Sequence, residues 1–161
     1  MNDEFEIRVA TTDDVPTLAR YRCEMFKDMG RLKESAYQDL YIAAEQYFHH
    51  AIPSGEYLGF LAFLTEDKVN PIAGAGIVLR KIPPSVNFDG TPLIGKQALI
   101  QNVYTEKVWR KKGLANKLMA EVLQWCEKWK IQSVILHASH EARSIYEKIG
   151  FISTNEMRYK K

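Results

Sequence analysis

One stretch, residues 97–138, constrains the fold of this chain more than any other. Gly113–Lys130 is strongly amphipathic: Leu114, Ala115, Leu118, Met119, Val122, Trp125, Cys126 and Trp129 fall on one stripe at helical spacing. An apolar run lies on each side, Gln97–Thr105 (QALIQNVYT) and Ser133–Ala138 (SVILHA). Both read as strands, the second short and buried. A helix that crosses between two strands of one sheet makes those strands parallel, and α/β sheets gather ligands at the carboxyl ends of their strands.

The rest of the chain fits around that unit. Phe5–Ala10 alternates Phe5, Ile7 and Val9 and predicts a first strand. Thr11-Thr12-Asp13-Asp14 supplies a helix N-cap with acids in the first turn. Val15, Leu18, Ala19 and Met25-Phe26 then recur at helical spacing until Gly30. Ser35 to His50 predicts a second helix, broken by Pro53-Ser54-Gly55. Tyr57–Thr65 and Ile72–Arg80 read as a hairpin of two strands joined by Glu66–Pro71. Ile82–Gly95, with three prolines and two glycines, reads as a loop. Glu141–Lys148 predicts a short helix stopped by Gly150, and Phe151–Ser153 with Met157–Lys160 a last hairpin. The expected architecture is mixed α/β in one domain over residues 1–161.

Composition narrows the function classes. With 161 residues, 46% of them apolar, the chain can bury a core of single-domain size. A formal net charge of +2 argues against a dedicated nucleic-acid or membrane binder. Two distant cysteines, Cys23 and Cys126, make no disulfide scaffold, although a bridge stays open. The acidic start Met1-Asn2-Asp3-Glu4 lacks the pattern of a signal peptide, and no run approaches the roughly 18 apolar residues of a membrane span. The expectation is a cytoplasmic protein.

The segment that carries chemistry is Val108-Trp109-Arg110-Lys111-Lys112-Gly113-Leu114-Ala115, between a strand and the first turn of a helix. A helix start offers unpaired N–H groups and the positive end of the dipole. Gly113 and the small Ala115 let a ligand approach the backbone, and Arg110, Lys111 and Lys112 add positive charge. These are the ingredients of a pyrophosphate site. A solvated basic turn is the plainer alternative. Neither a P-loop nor a dinucleotide fingerprint is present.

Arg110-x-x-Gly113-x-Ala115 resembles the Arg/Gln-x-x-Gly-x-Gly/Ala signature of the GNAT (Gcn5-related N-acetyltransferase) superfamily. Ala142-x-x-x-Tyr146-Glu147-Lys148-x-Gly150-Phe151 looks like the family's second signature, and Ile7-Arg8-x-Ala10-Thr11-x-x-Asp14 resembles its first strand and helix entry. The resemblance is strongest over residues 97–151. It implies a mostly antiparallel sheet of about six or seven strands, splayed at strand 97–105 and flanked by about four helices. It further implies an acetyl-CoA-dependent N-acetyltransferase acting on a primary amine of a small molecule or peptide by direct attack. A non-catalytic acyl-CoA-binding or sensing module is the alternative.

The resemblance also implies roles. Backbone N–H groups of Lys111, Lys112, Gly113, Leu114, Ala115 and Asn116 would hold the coenzyme pyrophosphate. Backbone groups on Val103-Tyr104-Thr105, chiefly of Val103 and Thr105, would pair with the pantetheine arm as an added strand does. An N–H near Val103 would polarise the thioester carbonyl. Tyr146 matches the family's general acid and would protonate the departing thiolate; its plainer reading is a boundary tyrosine. Ser139 stands where many members carry a pantetheine-bonding asparagine, and Arg143 either reaches a phosphate or is an exposed helical arginine.

Some parts stay open. Gln97 and Gln101 occupy the region where some members place a glutamate base, and an amide cannot accept the proton. Water, Glu24, Asp28 and His137 are the remaining candidates. His49-His50 and His137-x-x-His140 lack metal-site spacing, so no metal is expected. Tyr37, Tyr41, Tyr47 and Phe48 either line an acceptor pocket or belong to the core. The implied partners are acetyl-CoA and an amine, with no nucleic acid and no membrane; a homodimer is only the family's habit.

Overall fold

Thr11 and Asp14 set the first turn of the polypeptide. The Thr11 N–H donates to Asp14 Oδ2 at 2.8 Å and the Asp13 N–H donates to Thr11 Oγ1 at 3.3 Å, a capping box at the entry to a helix. Arg8 grips the same carboxylate with two N–H groups at 2.8 and 2.9 Å, joining the end of strand β1 (Phe5–Val9) to the start of helix α1 (Val15–Asp28).

The computed structural model describes residues 4–160. Met1, Asn2 and Asp3, which belong to the acidic start, and Lys161 lie outside the described residues. Helix α2 (Tyr37–Ala51) leads to β2 (Tyr57–Leu64) and β3 (Asp67–Lys81), and then to β6 (Lys96–Thr105). Two short strands, β4 (Ser85–Val86) and β5 (Pro92–Leu93), pair with each other in the segment expected to be a loop. Helix α3 (Leu114–Lys128), strand β7 (Ser133–Leu136) and helix α4 (Arg143–Ile149) complete the order. None of the described helices is long and apolar enough to cross a membrane.

The main sheet runs β1-β2-β3-β6-β7, antiparallel except for the parallel β6–β7 pair, which the crossover through α3 requires. Five strands stand in it rather than six or seven. The difference lies at the C-terminal end: the hairpin expected from Phe151–Ser153 and Met157–Lys160 does not form, and residues 151–160 carry no helix or strand. Their apolar residues explain why. Ile152, Met157 and Tyr159 are 66%, 94% and 87% exposed, so no buried face repays the ordering of a strand there.

A core lies on each face of the sheet. On one side Phe60, Ala62, Ala73, Ala75, Ile77, Ala98 and Ile100 meet Leu114, Leu118, Met119, Val122 and Cys126 of α3. On the other, Tyr57, Leu61, Phe63 and Tyr104 meet Val15, Leu18, Ala19 and Tyr21 of α1 and Ala44, Phe48 and Ala51 of α2. Cys23 and Cys126 are both buried and unbridged; Cys126 belongs to the α3 core, while Cys23 sits on α1 with its thiol 3.9 Å from the Tyr37 carbonyl.

Tyr57 explains a glycine. A Cβ on Gly76 would stand 1.9 Å from the Tyr57 hydroxyl oxygen and 2.3 Å from its ring. Gly76→Ala is therefore expected to cost about 1–3 kcal/mol through overpacking, read as a lower urea midpoint; an unchanged midpoint would show that the ring gives way freely. Arg8 holds the Asp14 carboxyl below the usual carboxylate range, chiefly through its hydrogen bonds. A lowered folded pKa stabilises at neutral pH and loses that contribution as pH falls through it. Unfolding curves of wild type and Asp14→Asn should thus differ at pH 7 and converge in acid.

Candidate acetyl-coenzyme site

β6 changes phase in its middle. Gly76 faces Gln101 while Gly74 faces Tyr104, so Asn102 and Val103 together oppose Ala75. This is a β-bulge, and Asn102 carries it with φ +58°, a left-handed conformation that asparagine tolerates better than most residues. Before the bulge, Ala98 and Ile100 face α3; after it, Val103 does, while Asn102 and Tyr104 face α1. Without the extra residue, strict alternation would drive the Asn102 amide into the α3 core.

The same strand loses a neighbour at the same place. β7 pairs with β6 only from Gln97↔Ser133 to Ile100↔Leu136, whereas β3 stays paired out to Thr105. Residues 101–105 therefore have an open edge. The Glu106 N–H donates to the Ile72 carbonyl at 2.9 Å. Two-residue alternation gives Tyr104 that same phase toward β3 and turns the backbone groups of Val103 and Thr105 to the open edge. Of the three residues expected to pair with a pantetheine arm, two thus offer backbone groups there. Tyr104 does not, and its ring is buried against Tyr21 at a centroid distance of 4.8 Å.

Past β6 a short 3-10 turn, Lys107–Trp109, leads to the start of α3. Lys111 (φ +61°) and Gly113 (φ +81°) are both left-handed, and Gly113 is the N-cap with no side chain closing the helix. The first helical bond is from the Lys117 N–H to the Gly113 carbonyl at 3.1 Å. The N–H groups of Leu114, Ala115 and Asn116 precede it and point out of the helix end. Nothing stands within 4 Å of where a Gly113 Cβ would lie, so the surface there is open. The Leu114 side chain is buried in the α3 core and fixes the helix end beneath that surface. Lys112 lies over the Trp109 ring at 4.2 Å, and Trp109 meets Phe5 edge-on.

Arg110 reaches back to β6 and α1. Its Nε donates to the Thr105 carbonyl at 3.0 Å, its guanidinium pairs with Asp28 of α1, and it lies 5.5 Å from the Tyr104 ring centre. The signature arginine thus ties the loop to β6 and α1 while staying exposed itself, as Lys111 and Lys112 are.

Tyr146 is half-buried on α4, packed with Ile149 and Phe151 against the core that holds Leu114 and Leu118. Burial raises its pKa above the ordinary phenol value, so the hydroxyl stays protonated at neutral pH. The Ser139 hydroxyl accepts from the Ala142 N–H at 3.2 Å and so caps the turn into α4. Arg143, next in the chain, is exposed.

The candidate bases all have partners. Glu24 accepts from the Tyr37 hydroxyl at 2.9 Å, Asp28 pairs with Arg110, and His137 pairs with Glu156. Gln97 bridges Arg80 and Ser133. One carboxylate escaped the sequence reading: Glu106, one residue beyond β6, pairs with Arg20. The Tyr104 phenol is raised by burial first and then by the charges of Glu106, Asp28 and Glu24, which Arg110 partly offsets. An acid directly after a strand that ends in Thr105 was the available signal. Of the aromatic group, Phe48 belongs to the core, while Tyr41 and Tyr47 hold Glu45 and Glu56. Among the described residues, no group of three or more His, Cys, Asp or Glu could hold a metal. A separate cavity of about 530 Å³ lies along β1 and the second half of α3, lined by Ile7, Phe60 and Trp125 among others, away from the open end of α3.

Comparison with known proteins bears on the same region. Residues 90–161 match the family model of the acetyltransferase (GNAT) domain. Among solved structures, a GCN5-related N-acetyltransferase from Ralstonia eutropha JMP134 superposes with a TM-score of 0.85 at 24% identity, covering 98% of each chain. The chain has the GNAT fold. A "predicted acetyltransferase with acetyl-CoA" from Clostridium acetobutylicum gives 0.81 at 23% identity over 98% of this chain and 96% of that one. Glucosamine-6-phosphate N-acetyltransferase from Arabidopsis thaliana gives 0.66 at 17%, over 98% of each. No curated protein sequence matches the chain. The bulge, the open edge of β6 and the uncapped helix end all lie within the GNAT-like segment 90–161.

Gly113 yields a prediction at this site. Its left-handed φ costs a residue with a Cβ about 1–3 kcal/mol, although space is free. Gly113→Ala should lower the melting temperature while Gly113→Asn, which tolerates that φ, lowers it less; equal losses would point to lost space instead.

Proposed function

We propose that residues 1–161 form one acetyltransferase domain that transfers the acetyl group of acetyl-CoA to a primary amine of a small molecule or peptide. The observation that carries this reading is the open edge of β6 beside the uncapped start of α3. A pantetheine arm would pair with Val103 and Thr105, and the pyrophosphate would meet the N–H groups of residues 111–116 and the exposed lysines there. Only one side of Thr105 is fully available, since Arg110 already uses its carbonyl.

In the reaction, the lone pair of a neutral amine attacks the thioester carbon and forms the C–N bond. The carbonyl oxygen gains charge, and the Val103 N–H would stabilise it. The C–S bond then breaks, and the Tyr146 hydroxyl protonates the coenzyme A thiolate. The amine nitrogen releases its proton to water and the phenolate regains one from solvent. The products are an amide and the free thiol. The family fold and the acetyl-CoA named with the Clostridium acetobutylicum structure support this assignment.

A second reading, a non-catalytic acyl-CoA-binding module, is favoured by one observation: Glu24, Asp28, Glu106 and His137 are all engaged in pairs. Turnover decides between the two.

Gly113→Glu is expected to abolish acetyl-CoA binding in calorimetry, because bulk and negative charge enter the pyrophosphate position; normal affinity would sink the loop assignment. Tyr146→Phe should lower kcat on the order of 10²-fold or more while leaving coenzyme affinity within about threefold. Unchanged turnover removes Tyr146 from the reaction. The wild-type rate should hold on the alkaline side until pH passes the raised Tyr146 pKa, above the ordinary value for a phenol. Binding without turnover across a broad panel of amines would favour the module.

A further inference from the structure

The bulge in β6 has a polar side chain in a place where sheets normally bury apolar ones. Asn102 is 2% exposed and is the one buried polar residue among the described residues. Its Nδ2 donates to the Leu18 carbonyl of α1 at 3.2 Å, although Leu18 lies within the helix. Its Oδ1 and the Tyr57 hydroxyl are both buried, and among the described residues neither finds a partner at hydrogen-bond geometry. The Asn102 amide nevertheless lies close enough to offset part of the rise that burial imposes on the Tyr57 phenol. Buried polar atoms of this kind are costly, and replacement by an apolar residue would remove the cost. A device that serves only stability would not be built this way.

The backbone explains what is gained. Asn102 is held at φ +58° between two regular strand segments. The peptide that follows it carries the Val103 N–H, which alternation turns to the open edge. A residue anchored to α1 by its side chain cannot rotate back into a regular strand, since that would swing the amide through the sheet toward the α3 core. Gly76 completes the arrangement: its missing side chain leaves the space that the Tyr57 ring end occupies on the α1 face.

We propose that Asn102 is a positioning residue: its side chain, fastened to Leu18 and backed by Tyr57, locks the bulge that aims the Val103 N–H into the open edge of β6. The inference rests on the acetyl-transfer reading, and it adds the residue that sets the angle of the donor. Asn102 touches neither substrate nor coenzyme in this role and acts through the adjacent peptide.

The test uses Asn102→Gly, which keeps the left-handed φ at no steric cost and removes the anchor, and Asn102→Ser, whose hydroxyl is too short for the Leu18 carbonyl and leaves a smaller void. Three quantities are read on the full chain, well below the melting temperature of each variant: acetyl-CoA affinity by calorimetry, kcat with an amine substrate, and exchange of the Val103 amide. The expected result is affinity within about threefold of wild type, with kcat lowered about tenfold or more, since a misaimed donor loses much of what a removed one loses. Acetyl-CoA should also protect the Val103 amide in the wild type and protect it much less in the variants. A merely structural role would lower the melting temperature and leave kcat and the protection unchanged, and that result in either folded variant overturns the inference alone. A wild-type protein that binds acetyl-CoA but acetylates no amine overturns the transfer reading, and with it this one.

Discussion

β6 keeps both of its neighbours for only four residues. Up to Ile100 it is a central strand, paired with β3 on one side and β7 on the other. Beyond Ile100 the pairing with β3 continues and the pairing with β7 stops. In a regular sheet such an edge is a liability, because unpaired N–H and C=O groups invite another chain. Here the edge lies just before the turn that leads into α3, and the bulge at Asn102 twists it. The unpaired groups of that edge are the ones the proposed coenzyme arm would meet.

Two further constraints follow from that loss of pairing. The chain must leave β6 and turn into α3 with its first N–H groups outward, which the left-handed Lys111 and Gly113 accomplish. The turn must also be held without blocking those groups. Arg110 does this from beneath, through the Thr105 carbonyl and Asp28. The pair is part-exposed, so its contribution to stability is modest, within about 1 kcal/mol. Its geometric effect is larger: it connects α1, β6 and the turn before α3 through one side chain. Arg20 and Glu106 make a second tie, between α1 and the residue that follows β6.

Most of the architecture was legible in the sequence because it rests on periodicity. The α3 stripe, the β2–β3 hairpin and the capping cluster at Thr11–Asp14 each depend on neighbours in the chain. The turn at Arg110–Ala115 was legible as a pattern, though the direction of Arg110 was not, since Asp28 lies 82 positions away. The bulge was hidden for a different reason. Gln97–Thr105 scans as one apolar run, and its phase change shows only as an asparagine within it. The expected last hairpin fails because alternation alone forms no strand when no surface is available to bury it. Tyr146 stood out through the residues that follow it, and the structure places it half-buried on α4.

The two sides of the site differ in kind. The donor side depends on backbone groups whose orientation is set by φ values and strand pairing, so few side chains carry it. The face toward α1 and α2 is built from paired charges and phenols: Glu24 with Tyr37, Asp28 with Arg110, Glu106 with Arg20, and Tyr104 among the three acids. A cationic acceptor arriving there would compete with Arg20 and Arg110 for the carboxylates. Because Arg110 also holds the Thr105 carbonyl, movement at Asp28 would be transmitted to the strand that aims the Val103 N–H. Helix α1 and strand β6 are thus mechanically joined through one guanidinium.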